Sequence, residues 1–392
     1  MIEQIFGNEY FKLMSIIIRE KNSDDELVYL RNSIKKIASP EFYAIADEHE
    51  LVSTIGVKLK KKLCVNLGEP WNQEIDRTRK RLSSLFENVE KIGADLAAHG
   101  IPLVLLKNGG IAIDIMDDFA ECPMGDIDML CKKDDFRMAH DIIIKHGFKF
   151  KFRSIYEFED FETAFADGST EYSIEENGET LWIELAWRPV AGRWIRKDKE
   201  PNSDDLILNS HMAKSSCCRV LSNEDNLLQV SIHTAKHSYV RAPGYRLHLD
   251  VDRIVSNKEI DWSLFLKKVE EVHSKVAVYF SLYFAREILG TNIPQFVLDS
   301  LRPPERKEKR ILRMLSTAGF MHPHGRKFTK ISFLLFQTSL YDSLSDLFSV
   351  LFPASEELKS KFRYKNKMLM PFYWILYVLD MVGIRKSKNS KL

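Results

Sequence analysis

IPLVLLKNGGIAIDIMDDFAECPMGDIDML, residues Ile101 to Leu130, decides the fold. Pro102 to Leu106 is a short apolar run bounded by Lys107-Asn108-Gly109-Gly110, the pattern of a buried strand entering a glycine turn. Ile111 to Met116 has helical character, so the turn would open a helix. Backbone amides at such a start favour anions, which makes the turn a candidate phosphate cradle. Gly125-Asp126-Ile127-Asp128-Met129-Leu130 then sets two carboxylates two residues apart on a β-prone run. Side chains two apart on a strand share a face, so Asp126 and Asp128 project together while Ile127 and Met129 enter the core.

Two adjacent carboxylates repel, and their simplest use is to hold Mg²⁺ (or Mn²⁺) on oxygen ligands with substrate phosphates completing the shell. A third carboxylate is then expected on a neighbouring strand. Leu181 to Trp187, LWIELAW, alternates as a strand does, and Glu184 is its one charge.

Gly-Gly, a fifteen-residue spacer, Asp-x-Asp and a later strand carboxylate together resemble the nucleotidyltransferase superfamily of the DNA polymerase β type. Pro-Met-Gly-Asp-Ile-Asp-Met-Leu, followed by Gly147-Phe148, is similar to the wording of an uncharacterised bacterial nucleotidyltransferase family, over about residues 80 to 300. The resemblance implies an α+β fold: a polymerase β-like mixed sheet flanked by N-terminal and C-terminal helical regions. It implies Asp126, Asp128 and Glu184 as catalytic and metal-binding residues. Lys107, Gly109, Gly110, Gly125, His233, Lys236 and His237 would bind nucleotide, the last three through the family's H.akH wording. The activity implied is transfer of a nucleotidyl group from a nucleoside triphosphate to an unknown hydroxyl, phosphate or protein acceptor. The chain departs from the family pattern at Asn108, where glycine is common, at Cys122, where arginine is usual, and at Ala186, where histidine is usual. These departures motivate an alternative, a catalytically weak nucleotide-binding or scaffold protein; its reading as an accessory of a peptide-modification or cell-envelope pathway rests on the C-terminal tail alone.

The whole-chain numbers bound the rest. At 392 residues and 45% hydrophobic, the chain is long enough for several regions and a sizeable core. Lysine plus arginine (57) balance aspartate plus glutamate (56), so no overall field attracts nucleic acid. Five scattered cysteines without CxxC spacing fit a reducing cytosol. The N-terminus carries acids and lacks the layout of a signal peptide, so a cytoplasmic protein is expected.

Four regions are expected: N-terminal helices over 1–99, the α/β catalytic domain over 100–215, a helical domain closing the cleft over 216–320, and a helical tail over 321–392. In the first, Ser23 to Glu26 has capping-box spacing before a run to Ala38, and a long helix spans Trp71 to His99. In the second, strands are expected near 103–106, 127–131, 148–152, 171–175 and 180–187. The helix Asp134 to His146 would be capped by Asp134-Asp135 and ended by Gly147. Asp114, Asp117 and Asp118 are expected around a solvated turn. In the third, His233, Lys236 and His237 share one helix face, a pair of histidines without the third ligand that zinc needs. Asp250 is expected to pair with that helix. Arg302 to Arg313 reads as a solvated connector, and Phe328 to Phe352 as core helix. Met368 to Ile384, holding Pro371 and Asp380, is short for a membrane span, yet nine lysines and arginines follow Leu358 against Asp380 alone. Basic flanks on an aromatic run suit peripheral contact with an anionic membrane through 368–384.

Overall fold

The computed structural model describes residues 8–153, 160–190, 195, 197–214, 216–237, 244–317, 328–353, 355, 358, 362 and 367–381. It is a mixed α+β molecule, with a seven-stranded sheet between N-terminal and C-terminal helices.

The N-terminal helices are Glu9–Ile18, Asp24–Asn32, Ile34–Ile37, Pro40–Glu48, Val52–Leu63 and Trp71–Ala98. Ser23 forms the expected capping box: its hydroxyl accepts from the Glu26 amide at 3.3 Å, and Glu26 accepts from the Ser23 amide at 3.1 Å. The run expected to reach Ala38 breaks at Ser33, which ends one helix and begins the next. Trp71–Ala98 buries Leu82, Leu85, Val89, Ile92 and Leu96 along the stripe that its 3.6-residue period predicts.

The strands are β1 (Val104–Leu105), β2 (Asp126–Leu130), β3 (Lys149–Phe150), β4 (Ser169–Glu176), β5 (Glu179–Ala186), β6 (His211–Met212) and β7 (Arg219–Val220), in the order β3-β4-β5-β2-β1-β7-β6. The two-residue β6 and β7 carry no readable alternation and lie outside the strands that the sequence predicts. β2 lies antiparallel to β1 and parallel to β5, and β4 is antiparallel to β5. Alternation then sorts the faces. Ile127, Met129, Ile183, Leu185 and Tyr172 enter the main core. On the other face Val104, Leu106 and Leu130 are covered by Leu206 and Ile207 of helix Ser203–Asn209.

Helix Lys107–Ile115 corrects the expected glycine turn, because Gly109 and Gly110 lie inside its first turns. Their role is close packing. A Cβ on Gly110 would stand 2.8 Å from the Leu105 carbonyl oxygen, and one on Gly109 would stand 3.1 Å from Ile127 Cγ2. Helix Phe136–Lys145 ends at Gly147 (φ +91) as expected, but Asp135 has a helical backbone at the N-cap and makes no side-chain cap hydrogen bond.

The C-terminal helices are Asn223–His237, Gly244–Asn257, Trp262–Glu271, Lys275–Leu289, Gln295–Leu301, Glu305–Thr317, Lys330–Ser339, Leu344–Leu351 and Met370–Met381. One buried cluster runs from Phe11 to Leu340, joining N-terminal helices, sheet and C-terminal helices. The expected solvated connector is in large part helix, and Glu308 is buried in it, accepting from the Tyr279 hydroxyl and from Arg302 Nε at 2.9 Å. Phe328 to Phe352 divides into two helices and leaves Ile331, Leu335, Leu344, Phe348 and Phe352 exposed, so part of that expected core faces solvent. In the tail, Tyr377 packs on Leu358 while Phe372 and Ile375 are exposed. No described helix is long and apolar enough to cross a membrane. Residues 382–384 of the tail stretch lie outside the described residues.

Gly110→Ala is expected to cost about 1–3 kcal/mol, because the new methyl meets backbone that cannot turn aside. Chemical denaturation of the variant beside the parent checks this.

Candidate metal and nucleotide site

The parallel pairing of β2 with β5 builds the site. Asp128 stands opposite Glu184 and Asp126 opposite Trp182. All four side chains therefore share the face not buried in the main core. One carboxylate oxygen from each of Asp126, Asp128 and Glu184 lies within 4.8 Å of the others, and this is the one such group of three or more potential ligands among the described residues. The donor set is all hard oxygen, which fits Mg²⁺ or Mn²⁺ and does not fit a soft-metal site.

Crowding of the acids raises the proton affinity of Glu184 and Asp128. Burial first, then the Asp128 charge, pushes Glu184 up to about 7. Burial and Asp126 likewise hold Asp128 above the usual aspartate range, although Lys107 opposes them. Lys107 Nζ sits 2.7 Å from Asp128 Oδ1. Burial pulls its ammonium down, but Asp128 and Glu184 more than reverse that, so Lys107 stays firmly charged. Its backbone is left-handed (φ +51) at the first position of the helix, an uncommon state for a side-chain-bearing residue and one that clusters at functional sites.

Arg153 flanks the opposite side. Its guanidinium donates to Asp126 and, at 3.3 Å, to Glu171, and lies 5.6 Å from the Trp182 ring centroid. Nothing in the surrounding sequence marks Arg153, because its partners are 18 and 27 residues away.

A ring of cations from distant helices fixes the loop that delivers Asp126. Arg79 Nη2 pairs with Asp118 at 2.8 Å, Arg81 donates to the Met124 carbonyl, and Arg246 Nη1 donates to the Pro123 carbonyl at 2.8 Å. Fully buried Arg253 donates to the Glu121 carbonyl, to Asp250 at 2.8 Å and to Cys122 Sγ at 3.3 Å. Asp250 thus pairs within its own helix, which corrects the expected pairing to the histidine helix. Cys122 is no cation site. Burial pushes its thiol up to about 12, and an arginine from another helix stands against it.

The other expected residues fall as follows. Gly109 and Gly110 stand beside β1 and β2, two and three residues after Lys107. Gly125 is exposed directly before Asp126, where a Cβ would come within 3.8 Å of Arg153 Nη1. His233 and His237 have ring centroids 4.6 Å apart, and among the described residues no third ligand joins them in a metal-binding group. The Lys236 side chain lies outside the described part of the structure. Asp114 is buried and pairs with Lys258 Nζ at 2.6 Å, which corrects the expected solvated position; Asp118 caps the turn at Ala120, and Asp117 is exposed.

Residues 35–290, about two thirds of the chain, match the family described as uncharacterised nucleotidyltransferase. The chain belongs to this nucleotidyltransferase family. No curated protein matches it. The match contains the acid triad, Lys107, Arg153 and the arginines around the Asp126 loop, and it excludes the helices after Leu289.

Glu184 carries a pH signature. A carboxyl whose folded value is raised takes up protons on folding, so its contribution to stability is greatest below its unfolded value of 4.5 and is lost as pH rises toward about 7. The melting temperature of EDTA-treated protein is therefore expected to fall across that window, and Glu184→Gln to flatten the slope.

Proposed function

We propose that the chain transfers a nucleotidyl group from a nucleoside triphosphate to an acceptor hydroxyl or phosphate, with Asp126, Asp128 and Glu184 holding divalent metal. The observation that supports this is the register of β2 on β5, which sets the three carboxylates of a nucleotidyltransferase family member within 4.8 Å of one another. Mg²⁺ bound there supplies charge neutralisation for the triphosphate and lowers the proton affinity of an acceptor oxygen. The chain's residues do the rest. Lys107 meets phosphate oxygens as a fixed positive charge, and the start of helix Lys107–Ile115 adds outward-facing amides. Gly109 lets that helix start approach the acid strand closely, and Gly110 lets it approach β1. The acceptor oxygen attacks the α-phosphorus, the bond to the bridging α–β oxygen breaks, and pyrophosphate leaves in line. Glu184, as a carboxylate beside the acceptor, orients it and takes its proton.

His233, Lys236 and His237 are proposed to reach the nucleotide from helix Asn223–His237, which packs against helix Lys107–Ile115. The departures at Asn108, Cys122 and Ala186 leave all three acids in place.

Incubation of purified protein with each α-labelled triphosphate, Mg²⁺ and a cell extract is expected to move label from one nucleotide onto one acceptor class. Asp128→Asn should lower transfer at least about a hundredfold. It should also lose the thermal stabilisation that Mg²⁺ plus a non-hydrolysable triphosphate gives the parent, since only a ligand of the folded state raises stability. Full ligand-induced stabilisation in Asp128→Asn would remove the pair from the metal site. Stabilisation of the parent without any transfer of label would favour the scaffold alternative.

A further inference from the structure

We propose that Arg153 is a second triphosphate ligand, parked on Asp126 until metal and triphosphate arrive together, so that the site binds metal weakly on its own. This deepens the nucleotidyl-transfer reading and rests on it.

Each carboxylate of the Asp-x-Asp pair already has a cation. Lys107, from the β1 side, holds Asp128, and Arg153, from the β4 side, holds Asp126. A divalent ion entering alone competes with both cations for their carboxylates and then stands beside a displaced Lys107 ammonium and an Arg153 left with Glu171 alone. A triphosphate entering with the metal gives each displaced cation a new anionic partner. Metal and triphosphate are therefore coupled through Arg153 and Lys107, each raising the affinity for the other by the same factor.

Arg153 is built for this exchange. Its contacts other than Asp126 do not depend on the metal site. Its backbone amide donates to Glu171 at 2.6 Å, its guanidinium reaches Glu171 at 3.3 Å, and the Trp182 ring lies beneath it. When Asp126 turns to metal, these contacts keep the guanidinium at the rim, where its planar fork matches phosphate oxygens. The side chain is 40% exposed, so the exchange needs no unpacking of the core.

Equilibrium dialysis of Mn²⁺ against the 392-residue chain tests the proposal, because it counts protein-held ion whether the remainder is free or carried by tripolyphosphate. Each titration is run alone and with saturating inorganic tripolyphosphate, which carries no base to choose. The parent should bind Mn²⁺ at least about tenfold more tightly with tripolyphosphate than without it. Arg153→Gln should bind Mn²⁺ alone more tightly than the parent, because Asp126 is freed, and should bind tripolyphosphate less tightly. Damage to the fold would weaken both, so the opposed signs identify the exchange; a melting curve and Arg153→Lys serve as controls. Equal or weaker binding of Mn²⁺ alone by Arg153→Gln overturns the proposal. A parent that binds no Mn²⁺ even with tripolyphosphate overturns the nucleotidyl-transfer reading itself, and the role of Arg153 with it.

Discussion

Three carboxylates held within 4.8 Å of one another form an arrangement that electrostatics opposes, and much of the surrounding structure acts to hold it. Backbone pairing of β2 with β5 sets the positions of Asp126, Asp128 and Glu184, and the side chains cannot drift apart without losing strand register. Lys107 and Arg153 each offset one charge. The remaining excess appears as raised proton affinity at Asp128 and Glu184. A protein that gained nothing from three acids here would be more stable with fewer, and that is the physical reason to regard the cluster as functional.

What was legible in the sequence was local. Asp126 and Asp128 share a face because strands alternate, the Ser23 box and the helix from Trp71 announce themselves by spacing, and Glu184 stands out as the one charge in the run Leu181 to Trp187. What was not legible depends on partners far along the chain. The Gly-Gly pair resembled a turn because glycine marks turns, yet its role is the closeness of a helix to Leu105 and Ile127. Asp114 looked solvated until Lys258, more than a hundred residues later, is brought to it. Glu308 sat in a charge-rich run whose burial depends on Tyr279 and Arg302. Arg153 had no signal at all.

The sheet is asymmetric in a way that bears on access. Its main-core face is apolar along its central strands, whereas its other face is divided. Helix Ser203–Asn209 covers Val104, Leu106 and Leu130 at one end, and the acids with Trp182 occupy the other. The same strand β2 thus carries Leu130 into a small apolar cluster and Asp126 and Asp128 into the polar site, within five residues.

The clamp on the Asp126 loop also limits how this architecture can be taken apart. Thr54 donates to the Glu121 carbonyl at 3.0 Å, and Arg79 and Arg81 reach the same loop from the long N-terminal helix, while Arg246 and Arg253 reach it from helix Gly244–Asn257. The segment that carries Asp126 is thus finished by residues on both sides of it in the chain. Neither flank is a detachable module: recombination that joined this sheet to a different helical partner would deliver Asp126 on an unanchored loop, and exchange of the parts would succeed only as a single block.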